Sequence, residues 1–402
     1  MLLGLVGMAH AADATLLDNI KAQRQALSIE NGKLAGPGAA SLRAAVGGSQ
    51  FVFIGEDHGI NEIAQFSSAW FDELAAGGYT TLATENGPAV AAAVRGALRS
   101  KDAPAAIAAY NREYPFSLAF YDLKPETEFL ARVAQAAGPK FKLIGFDQEL
   151  MGAAKYLLNQ IAREPINAQA KTMVAAMQQR ESATYKEAAA SGNPGQLYML
   201  AAKDEELAAL RKLLTAPKEK PALALLDSLI ESRSIYTKNM TGKGYESNLQ
   251  RARLMKRNLA PYLAADPAQK MLVKVGALHA YRGYNALGSR EIGNYLAEHA
   301  DGRGTRSLHV LVLAPAGKQS GFAGIGRPPS ANDVEPIGEN HDFAGVLPLY
   351  AATAGESGWT LIDLRPMRQT KQALANPKFS SVAQGFDFAL IIPVATAAPA
   401  LP

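Results

Sequence analysis

The sequence predicts an α/β fold: a mainly parallel central sheet flanked by helices, with a helical insertion. Three observations predict it. Short apolar runs rich in β-branched and aromatic residues recur along the chain, stretches of helical period lie between them, and the runs end in Gly and ionisable residues.

The first run, Phe51-Val52-Phe53-Ile54, leads into Gly55-Glu56-Asp57-His58-Gly59. From Ile60 to Ala76 the residues Ile63, Phe66, Trp70 and Leu74 recur at three- and four-residue intervals, the spacing of one helix face. The second run, Tyr79 to Ala83, ends at Thr84-Glu85-Asn86, and the third, Phe141 to Ile144, at Gly145-Phe146-Asp147. Strand and helix in alternation imply parallel strands buried on both faces. From about Glu164 to Leu263 strand-like runs disappear, and Leu200, Leu207, Leu210 and Leu214 keep helical spacing. A fourth run, Met271 to Val275, then ends at Gly276-Ala277-Leu278-His279. Further strand candidates are Leu308–Leu313, Thr360–Leu364 and Phe386–Ile392, with a Gly/Pro-rich loop from Ala314 to about Pro348 after the first of them. The predicted organisation is therefore an α/β core over 40–163 and 264–402, and a helical insertion or cap over 164–263. Residues 1–11 have the character of a truncated signal peptide: an apolar stretch followed by Ala9-His10-Ala11, a small-x-small cleavage pattern. A periplasmic or secreted protein is expected.

With 402 residues, 48% of them hydrophobic, the chain can build a large core. Its net charge of +4 is spread without runs of like charge, which argues against a nucleic-acid partner. No stretch is long and apolar enough to span a bilayer. There are no cysteines, so thiolate chemistry and disulfides are excluded. G-x-S-x-G, H-E-x-x-H, P-loop and G-x-G-x-x-G motifs are all missing.

What remains is a group of imidazoles and carboxylates at successive strand ends, where open α/β sheets gather their ligands. His58 and His279 are two of only six histidines. Histidine suits proton transfer near neutral pH, and a neighbouring carboxylate, Glu56 or Glu85, can orient its ring. Asp147 completes the polar floor. Burying two imidazoles and three carboxylates without a function would be costly.

Gly55-Glu56-x-His58-Gly59, a strand ending at Glu85, Gly145-x-Asp147, and a strand ending at His279 occur in an order that resembles the erythromycin esterase family within the ChaN-like superfamily. Arg251, Met255 and Asn258 resemble its R-x-x-x-M-x-x-N helix, and Trp359–Arg365 and Gly385-Phe386-Asp387 its closing strands. The chain departs from the pattern in having only Asp57 between Glu56 and His58, Ala252 where an acidic residue is expected, and no base between Ala64 and Trp70.

The resemblance implies a hydrolase acting on an ester, lactone or similar acyl bond of a small-molecule substrate. It implies His58 as general base oriented by Glu56, with His279, Glu85 and Arg282 placing the scissile carbonyl. Asp147, Arg251, Asn258 and Tyr281 are the substrate-binding candidates. No cofactor is expected. Two imidazoles and the carboxylates would also suffice for a divalent metal, which keeps a metal-dependent hydrolase or peptidase open as an alternative. A ChaN-like haem-binding protein without catalysis is the other.

Overall fold

The apolar runs become strands because β-branched and aromatic side chains pack well on a pleated surface buried on both sides. In the computed structural model, which describes residues 16–402, they are β1 (Arg24–Glu30), β2 (Lys33–Ala35), β3 (Ser49–Glu56), β4 (Thr81–Thr84), β5 (Lys142–Gly145), β6 (Met271–Gly276), β7 (Arg306–Leu313), β8 (Lys318–Gly321), β9 (Ser330–Asp333), β10 (Trp359–Asp363) and β11 (Phe388–Ile391). The expected signal segment, residues 1–11, lies outside the described residues. Nine strands form one sheet in the order β2-β1-β10-β11-β7-β3-β6-β4-β5. From β11 through β5 all neighbours are parallel, whereas β10, β1 and β2 add an antiparallel edge. The fold is the mixed α/β architecture the sequence predicts.

Strand periodicity divides the interior into two layers. On β3, Phe51 and Phe53 join one core with Met271, Val273 and Val275 of β6, while Val52 and Ile54 join the other. All these side chains are buried. Each contributes about 1.5–3 kcal/mol relative to an exposed position.

The stretch between β5 and β6 is helical, including the long helices Ala168–Ser191, Lys220–Met240 and Gly244–Ala265. It is not an appendage: Val174, Met177, Leu207 and Leu226 belong to the same continuous core as Phe66, Leu82 and Leu143. Four strands, β1, β2, β8 and β9, were not legible in sequence. The strand β1 buries only Leu27 of its seven residues, so its alternation is too weak to register, and it extends the sheet upstream of residue 40. The Ala314–Pro348 loop is not structureless, since β8 and β9 form an antiparallel hairpin within it.

The chain leaves β3 toward β4 on one side and leaves its neighbour β6 toward β7 on the other. Connections that depart in opposite directions from adjacent strands open a crevice at their carboxyl ends. The candidate residues lie there.

Candidate active site

Glu56 closes β3, and His58 stands two residues later in the turn that follows, which brings its ring back beside Glu56. The His58 Nδ1 lies 3.1 Å from Glu56 Oε1. The imidazole stacks on Phe120 with centroids 4.0 Å apart. Gly59 turns the chain with φ of 80°, and a Cβ there would come within 2.1 Å of the Ser320 carbonyl oxygen. Glycine is therefore required where the β8–β9 hairpin docks beside the imidazole.

Glu85, the residue after β4, is the centre of the cluster. Its Oε2 accepts the Gly276 backbone N–H at 2.8 Å and lies 3.7 Å from His58 Nε2. Its Oε1 lies 3.5 Å from His279 Nε2. Gly276 makes this approach possible, because a Cβ there would sit 3.0 Å from His58 Nε2. His279 faces Glu291 with its other nitrogen at 3.3 Å. Each imidazole thus has a private carboxylate on Nδ1, Glu56 or Glu291, and both turn Nε2 to the shared Glu85.

The helix Gly244–Ala265 supplies the cation. Arg251 bonds both oxygens of Asp147, with Nε–Oδ1 at 3.0 Å and Nη2–Oδ2 at 2.5 Å, and reaches Glu85 Oε1 at 2.5 Å. Asn258, on the same helix face, donates to the Phe146 carbonyl at 3.0 Å and so props the chain just before Asp147. Burial alone would raise the Glu85 carboxyl; His279 and Arg251 instead hold it well below the usual carboxylate range. Burial would likewise lower His58, yet the hydrogen bond it donates to Glu56 and the charge of Glu85 raise it. His58 keeps 32% of its side-chain surface exposed against 8% for Glu85, so it is the member open to a ligand.

Three contributors went unrecognised in the sequence. Lys274 lies inside β6, buried, with its ammonium 2.6 Å from Glu56 Oε2 and 2.9 Å from Glu126 Oε1. A lysine in an otherwise apolar run was the available signal. Burial opposes its charge, but Glu126 and Glu56 raise its pKa. Burial would raise Glu56 too, but Lys274 and the His58 hydrogen bond together hold that carboxyl down. Glu291, fully buried, gave no signal, because only the fold returns it to His279.

Arg282 and Tyr281 are corrected by the geometry. Arg282 pairs with Asp387 and donates to the Ser307 carbonyl at 3.0 Å. Asp387 in turn accepts the His309 N–H, and His309 pairs in register with Phe53, three residues before the Glu56 tip. The guanidinium is directed toward the amino ends of the strands, so it does not stand beside His279 to place a scissile carbonyl. Tyr281 packs edge-on against Phe386, with its hydroxyl 3.1 Å from Ser381 Oγ, and does not line the site.

The cluster lines a pocket of about 370 Å³, bounded opposite by Glu335, Ile337, His341 and Phe343 of the long loop. The arrangement presents a hydrogen-bonded base at the mouth and fixed negative charge behind it. As a metal-ligand set it is largely committed, since Arg251 and the Gly276 N–H occupy the two oxygens of Glu85. Among the described residues no three His or carboxylate side chains converge as metal ligands.

No family model and no curated protein matches the chain in sequence. Solved structures do match in fold. An erythromycin esterase variant in its open conformation superimposes with a TM-score of 0.58 at 15% identity, over 90% of this chain and 94% of that one. A succinoglycan biosynthesis protein does so with a TM-score of 0.60 at 14% identity, over 97% and 99%. A Bacillus cereus protein gives 0.59 at 14% identity, over 96% and 99%. The chain shares the fold of an erythromycin esterase across nearly its whole described length.

Proposed function

We propose that this chain is a hydrolase that cleaves an ester, lactone or similar acyl bond with His58 as general base. The observation that carries it is the convergence of two imidazole–carboxylate pairs on Glu85, in a pocket at the crevice between β3 and β6. Glu56 accepts the Nδ1 proton of His58 and leaves Nε2 to take a proton from water. The hydroxide oxygen adds to the acyl carbon while the carbonyl pair moves to oxygen. Collapse of that intermediate re-forms the carbonyl and breaks the bond to the leaving oxygen, which takes the proton back. Ester and water give acid and alcohol. His279 faces the same space and is the second proton-transfer group. The fold shared with an erythromycin esterase supports this choice of bond.

The test is an activity screen over esters, lactones and peptides with wild type, His58→Ala and His279→Ala, with and without chelator. We expect ester or lactone turnover that survives chelation and falls by ~10² or more in His58→Ala. Wild-type rates in that variant would remove His58 from the mechanism. Activity lost to chelator and restored by Zn²⁺ or Mn²⁺ would replace this proposal with the metal-dependent alternative.

A further inference from the structure

His58 borders a second cavity. On the side away from Glu85, a groove of about 850 Å³ runs past Gly59 between the loop after the helix Ala103–Glu113, the β8–β9 hairpin and the C-terminal residues. That size is typical of small-molecule sites, which span about 300–1,000 Å³. Its chemistry is the reverse of the polar pocket: Phe116, Leu118, Phe120, Leu123, Leu150 and Phe322 line it. Its two arginines, Arg112 and Arg327, are exposed to solvent. Burial raises the carboxyl of Asp122, the acidic residue on its wall.

Two features indicate that the groove is built for a ligand. Phe116 and Phe120 both adopt left-handed backbone conformations, with φ of 58° and 69°, a region that bulky residues avoid. Such strain persists only where the surroundings impose it, and it gathers at ligand sites. Here it accompanies rings set on the groove: Phe120 against His58, and Phe116 4.9 Å from Phe322. Phe322 is 53% exposed, a large apolar surface left in water at the groove wall. The walls are also anchored to the base, since Ser320 and Ala398 both donate backbone N–H bonds of 2.9 Å to the Gly59 carbonyl.

We propose that this groove binds an extended hydrocarbon or aryl arm of the substrate, so that the scissile bond lies beside His58 and the apolar body lies along Phe120, Leu118 and Phe322. The assignment rests on His58 as the reacting base, and it names the substrate class: esters or lactones with a long apolar arm, not short polar ones.

The test separates binding from turnover. Non-hydrolysable p-nitrophenyl octyl ether and its methyl counterpart, p-nitroanisole, are titrated calorimetrically into wild type, Phe322→Ser and Ala323→Trp. Both substitutions lie on the hairpin loop outside the buried core. Each added methylene, if fully buried, tightens binding by up to about fourfold. Partial burial along the arm predicts an octyl ether bound at least about 100-fold more tightly than the methyl ether. Both variants should shrink that difference to less than about tenfold. Equal affinity of the two ethers for wild type, or an undiminished preference in both variants, overturns the inference. A parallel series of p-nitrophenyl acetate, butyrate and octanoate tests hydrolysis. Octyl preference in binding without turnover of any ester sinks the hydrolase alone, whereas turnover without chain-length preference in KM or binding sinks the groove alone.

Discussion

Two groups of buried His, Asp or Glu, and Arg side chains occupy the two ends of the same parallel strands, and they differ in everything except composition. Toward the amino ends, His309 is wholly buried with both ring nitrogens satisfied, Nδ1 by the Ala280 carbonyl at 2.6 Å and Nε2 by Ser307 Oγ at 2.9 Å. Burial and the charge of Arg282 keep its pKa well below the ordinary value. Asp387 is clamped by Arg282 and Arg368. At the carboxyl ends, His58 is partly exposed, faces two carboxylates, has a raised pKa and borders two cavities. One cluster closes on itself and holds the sheet together. The other leaves a base facing open space, with excess negative charge behind it. Residue type does not distinguish the two clusters; access to open space does.

Substitutions can break this comparison. The largest effect is expected from Glu85→Gln, which removes the charge both imidazoles face: kcat/KM should fall by ~10² or more while the variant still unfolds cooperatively. Unchanged kcat/KM would make the carboxyl-end cluster as structural as the other. Next is Lys274→Met. It leaves Glu56 and Glu126 buried without their shared cation and should cost about 3–5 kcal/mol in denaturant unfolding. It should also move the acid limb of the pH–rate profile upward, because His58 loses a neighbouring positive charge. That limb holding still would show that Lys274 is coupled to the fold alone. Arg282→Met is expected to cost less, about 1.5–3 kcal/mol, since Arg368 still pairs with Asp387. Turnover per folded molecule should be retained, and a rate loss at full stability would return Arg282 to the site.

The smallest effects are in pH dependence, and they have opposite signs at the two ends. His58 has a folded pKa above its ordinary 6.5. Its contribution to stability is present below 6.5 and is lost as pH rises through the folded value, while kcat/KM rises over the same interval as the base is freed. Asp387 is held at about 2 against an ordinary 3.8: burial would raise it, but Arg282 prevails. Its contribution is present above 3.8 and is lost as pH falls toward 2. His309, lowered, destabilises the fold as pH drops below 6.5. An acid limb in kcat/KM at or below 6.5 would contradict the environment described for His58.

Much of this was legible in sequence where the determinants are local. Apolar runs and their terminating residues locate β3, β4, β5 and β6, and a parallel sheet brings such ends to one edge. Glu56 and His58 meet because only one residue separates them in the short turn that leaves β3, a local relation. Arg251 and Asn258 share a helix face for a similarly local reason.

Partners distant in sequence were not legible. Arg251 meets Asp147 across 104 positions, Lys274 meets Glu126 across 148, and Arg282 meets Asp387 across 105. By itself, the sequence determined that strands and helices alternate and which ionisable residues lie at the strand tips. Strand order, the docking of the helices and the path of the long loop decided which charges pair and which imidazole keeps access to open space. Side-chain periodicity is a property of a few consecutive residues, whereas the pairing of buried charges depends on which distant surfaces the packed core brings together.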